Sequence, residues 1–208
     1  PVQVLLFTDR ERSIEGNHRV RLEQIDQAAL PWPGPTLQRY AIMNRAARLI
    51  SGEWVLYLDA DMRVVAPLGA DLKASLASRS LWAVAHPGYW GRGLARSTWN
   101  RLNGGPWESR RDSEAYIPRR MRGQYVCGGT QFGLRENYMS ACREMAAAID
   151  RDASNGLIAR WHDESHWNAY VARTRIGWRD PSYCHEESYP WLRPLSAQIL
   201  AVNKCEDV

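Results

Sequence analysis

Residues 54–61, "WVLYLDAD", constrain the fold of this chain more than any other stretch. An unbroken apolar run ends in Asp59-Ala60-Asp61. A run that short, bounded by "SGE" and by aspartates, reads as a strand buried on both faces. Just before it, "LQRYAIMNRAARLI" (37–50) has the period of a helix. "VQVLLF" (2–7) and "LWAVAH" (81–86) read as further buried strands. "HRVRLEQI" (18–25) alternates like a strand with one wet face, and "QYVCGGTQFGL" (124–134) reads as a glycine-broken strand. "RENYMSACREMAAAID" (135–150) and residues 157–173 have helical periodicity. Strand–helix–strand order predicts an α/β fold with a mostly parallel central sheet flanked by helices. The stretches 29–36 and 88–123, rich in Gly, Pro and Arg, read as long loops of the kind that carry function.

The chain of 208 residues is 45% hydrophobic and 24% charged, which suits one large domain or two lobes around one site. Its mean hydropathy is −0.49, and no apolar run approaches the length of a membrane span. It opens on Pro1 with no signal-peptide pattern, so a targeting segment could precede it. The net charge of +4 hints weakly at an anionic partner such as a nucleotide. Of 27 basic residues only Lys73 and Lys204 are lysine. The arginines of 110–122 lack aromatic stacking or a binding motif, so nucleic acid is not expected, and they read as a solvated loop or as donors to an anionic acceptor. Cys127, Cys142, Cys184 and Cys205 form no C-x-x-C pair, and free thiols are the simpler reading beside one or two disulfides. Ten tryptophans, many beside Arg and Gly, suit either core packing or a sugar cleft where flat rings meet pyranose faces.

Alternation along a strand predicts that Asp59 and Asp61 point the same way at its carboxyl end, where open α/β sheets bind ligands. Two carboxylates there repel unless a cation lies between them. Hard oxygen ligands suit Mn²⁺ or Mg²⁺, ions usually shared with substrate phosphates. The plainer alternative is a solvated turn, where Asp is common. In "WHDESHWNAY" (161–170), His162 and His166 stand four apart and would share a helix face fit for zinc. A zinc-protease helix has its glutamate directly after the first histidine. Here Asp163 holds that place and Glu164 follows, about 100° further round. No third ligand is evident, and the zinc reading is set aside.

The order of "FTD" (7–9), "LDADM" (58–62), "HPGYWG" (86–91), "AYIP" (115–118), "YVCGGTQFG" (125–133), "NGLIARWHDESHWNAY" (155–170) and "DPSYC" (180–184) resembles the family-6 glycosyltransferases over nearly the whole chain. That family includes the ABO blood-group transferases, the α1,3-galactosyltransferase and bacterial relatives, and this chain looks like a bacterial or phage-type member. The resemblance implies a GT-A (Rossmann-like) fold in one domain, 1–208. Residues 1–85 would form its nucleotide- and metal-binding half and 86–208 its acceptor-binding half. It implies a retaining transfer of GalNAc or Gal from a UDP-sugar to O3 of a β-galactoside, in α1,3 linkage, with Mn²⁺ or Mg²⁺. A soluble cytoplasmic enzyme is expected for a bacterial or phage source, and the Golgi lumen if an N-terminal anchor was removed.

Carried over residue by residue, the resemblance makes Glu164 the nucleophile, or the carboxylate that stabilises an oxocarbenium-like transition state. Asp163 would hold donor-sugar hydroxyls, Trp161 would wall the acceptor site, and His162 would shape the cleft floor. His166 is read as structural, packing and hydrogen-bonding within its helix. Asp59 and Asp61, with Ala60 between them, match the metal-binding carboxylates. Arg39 matches an arginine that pairs with this region, and Lys204 a lysine that closes over the diphosphate. His86, Thr98 and Glu186 match acceptor contacts. Cys127, Gly128 and Gly129 match the donor-specificity strand, where the A-type enzyme has Leu and Gly and the B-type Met and Ala. Glycine at 129 leaves room for an N-acetyl group and favours GalNAc, unless it is there because the backbone approaches the ligand closely.

Three departures stand out. "VQVLLF" matches the family's second strand, so the first strand, which cradles uracil, is expected to be missing from this chain. "RLNGGPWESRRDSE" (101–114) is an insertion beside the acceptor side. The tail aligns only through "AVNK" (201–204). Two other readings stay open at this point: a GT-A transferase with a different acceptor or an inverting mechanism, which needs a catalytic base, and an inactive sugar-binding protein.

Overall fold

In a computed structural model, residues 2–9, 20–91, 93–103, 105–174 and 176–202 are described. Two parallel strands, β1 (Val2–Thr8) and β2 (Val20–Asp26), pair in register from Val2 with Val20 to Thr8 with Asp26. Helix α1 (Gly34–Arg45) follows. The sequence pattern placed its start three residues later, but Pro35 in its first turn needs no amide partner and lets the helix begin at Gly34. Then come β3 (Trp54–Leu58), β4 (Met62–Val64), α2 (Gly69–Leu76) and β5 (Leu81–Ala85). The remaining elements are α3 (Gly93–Leu102), β6 (Val126–Leu134), α4 (Arg135–Ser154), α5 (His162–Arg173), β7 (Gly177–Arg179) and β8 (Ile199–Ala201).

The central sheet has the order β3-β6-β5-β7. It is mixed, not mostly parallel as expected. β5 and β7 pair parallel, but β6 runs antiparallel to both β3 and β5. The chain leaves β5 and travels through residues 86–125 before entering β6, a path that lets the strand return in the opposite sense. Antiparallel neighbours need no βαβ crossover, so β6 can pair between β3 and β5 in the opposite sense.

The alternation of β3 sorts its side chains between two cores. Val55 and Tyr57 pack with Tyr40, Met43, Tyr138, Met145 and Trp167 beneath α1, α4 and α5. Trp54, Leu56 and Leu58 face Leu72, Phe132, Tyr183 and Ile199 on the other side. Helices therefore cover one face of the sheet, and α2, β8 and the turn Pro181–Cys184 cover the other. Helix α4 ends in a turn at Asn155-Gly156: Gly156 has φ +71, its N–H donates to Ala153 O, and Leu157 N–H donates to Asp152 O. That turn reverses the chain and delivers residues 157–161 to the start of α5. The stretch 88–123, expected as loop, contains α3 and a buried segment in which Trp107, Glu108, Ala115, Ile117 and Arg122 are all less than a tenth exposed. Among the described residues, no helix is long and apolar enough to cross a membrane.

Candidate active site

The carboxyl end of β3, a kinked part of β6 and the first turn of α5 meet around one guanidinium. Arg39, on α1, is buried. Its Nη2 donates to Asp59 Oδ1 at 2.7 Å and its Nη1 donates to Gly128 O at 2.8 Å. Nη1 also stands 2.8 Å from Asp163 Oδ2, too poorly aligned for a hydrogen bond, so that contact is coulombic. Tyr57 donates its hydroxyl to Asp59 Oδ1 at 2.7 Å and lays its ring under Arg39, 4.9 Å from ring centre to Cζ. Burial works against the Arg39 charge, but Asp163, Tyr57 and Asp59 offset it and raise the pKa further. One cation thus joins two acidic residues from different elements. Asp163 is the more strained of the two. Burial pushes its carboxyl up to about 7, aided by Asp59 and Glu164 and opposed by Arg39.

Glu164 is held on both oxygens. Tyr125 donates its hydroxyl to Oε1 at 2.7 Å, and the Gly128 N–H donates to Oε2 at 2.8 Å. Burial raises the Glu164 pKa, while these two donors favour the anion and pull it back. Asn168, one turn along α5, accepts from Val126 N–H at 2.9 Å and donates to Val126 O at 2.8 Å and to Glu164 O at 2.9 Å. Both ends of this side chain lock α5 to β6.

The glycines sit where β6 departs from a regular ladder. Ala83 pairs with Gln131 but Ala85 pairs with Val126, so the strand bulges across Cys127–Thr130. A Cβ on Gly128 would lie 3.1 Å from Arg39 Nη1 and 3.4 Å from Glu164 Cβ. On Gly129 it would meet Met62 Cε at 2.5 Å and Asp59 Oδ2 at 3.0 Å. A side chain at 129 would have to push aside the flexible end of Met62 and crowd the Asp59 carboxylate, so the protein's own groups as well as any ligand favour glycine there. Cys127 is buried, and the neighbouring Cys184 thiol together with burial pushes the pKa of its own thiol up. Cys127, Cys142 and Cys184 are free thiols.

Asp59, Ala60 and Asp61 form a tight turn and do not continue the strand: β3 ends at Leu58, and Met62 N–H donates to Asp59 O at 3.0 Å. The expected alternation of the two aspartates therefore gives way to turn geometry. Val202 N–H donates to Asp61 O at 2.8 Å, bringing the end of β8 beside the turn. Among the described residues, no group of three or more His, Cys, Asp and Glu could hold a metal ion. An ion shared with phosphate oxygens needs only one or two carboxylates. Both hydrogen bonds on Asp59 fall on Oδ1, and Oδ2 faces Gly129 and Met62. This donor chemistry fits a Mn²⁺ or Mg²⁺ ion completed by a ligand.

The model for glycosyltransferase family 6 matches residues 37–206, which contain every group of this cluster. The chain belongs to glycosyltransferase family 6. It is similar to "Histo-blood group ABO system transferase 1" of Rattus norvegicus, 29% identical over 67% of this chain and 37% of the relative. It is 26% identical to "Globoside alpha-1,3-N-acetylgalactosaminyltransferase 1" of Homo sapiens over 91% of this chain and 52% of that protein. It is also 26% identical to "O-antigen biosynthesis glycosyltransferase WbnI" of Escherichia coli, over 79% of this chain and 66% of the relative. The chain thus spans about half or less of the two animal relatives.

This family-6 chain gathers Arg39, Asp59, Gly128, Gly129, Asp163 and Glu164 into one contact network. His86 lies at its edge: its ring is 5.7 Å from that of Tyr125 and 5.1 Å from that of Tyr89. Its Nδ1 accepts from Gly88 N–H at 3.0 Å, so in the neutral ring the proton sits on Nε2. The segment carrying Glu186 is tied to the same turn, because Trp191 Nε1 donates to Pro87 O at 3.0 Å. Trp161 is 45% exposed, and His162 meets the ring of Trp32 edge-on at 5.1 Å. Thr98 is exposed on α3, and no hydrogen bond joins it to the cluster. Lys204 and Cys205 lie outside the described residues. His166 is buried with Nε2 3.5 Å from Asp152 Oδ2. Its partner is on α4, a correction to the expectation of bonding within its own helix: an inward-facing α5 residue meets the neighbouring helix first. Tyr125, Tyr57 and Asn168 went unremarked in the sequence. The only signals for them were the Tyr that opens "YVCGG" and the Asn after "WHDESHW".

Proposed function

We propose that this chain is the catalytic domain of a retaining, UDP-dependent family-6 transferase with a GT-A fold. It moves N-acetylgalactosamine, or less readily galactose, to O3 of a β-galactoside in α1,3 linkage. Residues 1–85 serve the nucleotide and metal, and 86–208 the acceptor. The observation that carries this reading is the Glu164 carboxylate, fixed between Tyr125 O–H and Gly128 N–H at a glycine bulge that also touches Arg39. The name of the human globoside relative, an alpha-1,3-N-acetylgalactosaminyltransferase, supports the linkage and the donor sugar.

In this reading Glu164 faces the anomeric carbon opposite the departing UDP. Its carboxylate either bonds that carbon or stabilises its positive charge, and the acceptor oxygen then arrives on the face that UDP left. Tyr125 and Gly128 keep the carboxylate oriented throughout, so it need not reorganise as charge develops. Asp163, steadied by Arg39, orients donor-sugar hydroxyls. His86 presents Nε2–H to the acceptor, beside Trp161, His162, Thr98 and Glu186. Asp59 and Asp61 would hold a Mn²⁺ or Mg²⁺ ion, which would supply positive charge to offset that of the diphosphate. Lys204 closes over that diphosphate.

The test is UDP release from UDP-N-acetylgalactosamine and UDP-galactose, with simple β-galactosides, in Mn²⁺ and in excess EDTA. Expected are Mn²⁺-dependent release, a preference for the N-acetyl donor, and an α-linked product by NMR. A β-linked product would overturn the retaining mechanism, and full activity in EDTA the metal role.

A further inference from the structure

Glu108 lies in the segment between α3 and β6, which the mechanism above does not use. It is 2% exposed, an uncommon place for a carboxylate. Its Oε1 accepts from Ser109 N–H at 2.9 Å, Arg110 N–H at 2.9 Å and Arg110 Nε at 3.1 Å. Its Oε2 accepts from Arg110 Nη2 at 2.7 Å and, across the fold, from Arg160 N–H at 2.8 Å. Two further bonds close the same joint. Arg110 Nη2 donates to Ile158 O at 2.6 Å, and Arg160 Nη1 donates to Gly105 O at 2.8 Å.

These bonds converge on residues 158–160, directly before Trp161 and His162. His162 has φ +48, a left-handed conformation that a non-glycine residue keeps only where its surroundings over-determine it. His162 N–H to Ala159 O at 2.9 Å and Trp161 N–H to Ser165 Oγ at 2.9 Å fix it from within the turn. Glu108 fixes it from outside.

We propose that Glu108 is a positioning residue: through Arg160 it sets the turn that presents Trp161 and His162 to the acceptor. This rests on the transferase reading above. The donor side has its own supports, since Arg39, Tyr125 and Gly128 hold Asp163 and Glu164 without touching Glu108. The Trp161 side chain is less firmly held: it is 45% exposed and has the Arg160 guanidinium 5.6 Å from its ring centre. A carboxylate is needed because both oxygens accept. Glutamine would turn an NH₂ group against N–H donors on one side. Arg110 and the two backbone donors outweigh burial and hold the Glu108 carboxyl down to about 2, so the anion persists at any working pH.

The test is steady-state kinetics of Glu108→Gln with a β-galactoside and a UDP-sugar varied in turn. The expected result is an acceptor KM raised about tenfold or more, with donor KM changed less than about twofold, because misplacing one wall costs binding of what lies against it. A purely structural role would lower the folded fraction and leave both KM values alone. That outcome, an equal rise in both, or a fall in kcat alone overturns the proposal. If Glu108→Gln does not fold, Arg110→Gln, at a half-exposed position, is read the same way. A wild-type chain that releases no UDP from either donor refutes the transferase reading instead.

Discussion

Glu164 and Asp163 are adjacent, yet their surroundings give them different tasks. Glu164 meets two donors, one on each oxygen, and Asp163 meets one cation without a hydrogen bond to Oδ2. Glu164→Gln keeps the shape but removes the charge opposite a cationic transition state. Turnover should fall by several powers of ten, equivalent to roughly 3–5 kcal/mol, with UDP-sugar affinity little changed. Asp163→Asn should weaken both. Side-by-side turnover and donor titration check this, and near-native turnover in Glu164→Gln would refute the assignment. The two acids were legible in the sequence because "HDES" is a specific run. Of their holders, Arg39 was legible through the resemblance, as an arginine that pairs with this region, and it does contact Asp59 and Asp163. Tyr125 was not: it approaches from a distant segment, and only the fold brings its hydroxyl to 2.7 Å from Glu164. Gly129 was legible as a small residue, but its reason was incomplete. The sequence pointed to room for a substrate group, whereas its bare Cα also faces Met62 and Asp59.

At the scale of elements, the joint between α5 and β6 depends on Asn168. It is 3% exposed and pairs with both the N–H and the C=O of Val126, in addition to Glu164 O. Asn168→Ala strands buried backbone groups, which costs about 1–3 kcal/mol for each unsatisfied partner. The expected outcome is a loss of roughly 2–4 kcal/mol in denaturant unfolding, with turnover reduced in the protein that remains folded. An unchanged midpoint would show that water replaces the amide. Periodicity located β1, β3, β5 and α4 well, because each is long or strongly patterned. It missed β4, β7 and β8, whose three residues are too few to show alternation. It also started α5 five residues early. Residues 157–161 are apolar enough to read as helix, but hydrogen bonds to Glu108 and Arg110 hold them as a turn. Strand direction was not legible, since nothing within β6 encodes which way it enters the sheet.

For the whole molecule, acid should act through a buried histidine. His166 is 3% exposed, and burial lowers its pKa to about 4, against the pull of Asp152 and Glu114. In the unfolded chain the ring titrates near 6.5. The folded value is the lower one, so protons favour the unfolded state. This group costs nothing well above pH 6.5, destabilises progressively as pH falls towards 4, and adds no further loss below that. The full span is worth about 3 kcal/mol at most. Melting temperature against pH, in the wild type and in His166→Gln, measures it. The variant should be flatter between pH 6.5 and 4, and equal slopes would assign the loss to other groups.

The reversed strand has a consequence for how this fold meets an anion. In a doubly wound sheet, the helix after the leading strand turns its amino end, with unpaired N–H groups, towards a bound phosphate. Here β3 is followed by an acidic turn. Because β6 is antiparallel, Leu134 lies opposite Trp54, and Arg135 N–H donates to Glu53 O at the far edge of the sheet. The amino end of α4 is thereby turned away from the Asp59 turn. The amino end of α5 does face the site, but its first turn is filled by Asp163 and Glu164. Neither of these two helices offers an anion a bare amino end at the Asp59 turn. In the transferase proposed above, the counter-charge for a diphosphate at the end of β3 would come from a soluble cation, which can leave with the product, or from a basic side chain, and not from the amino end of α4 or α5.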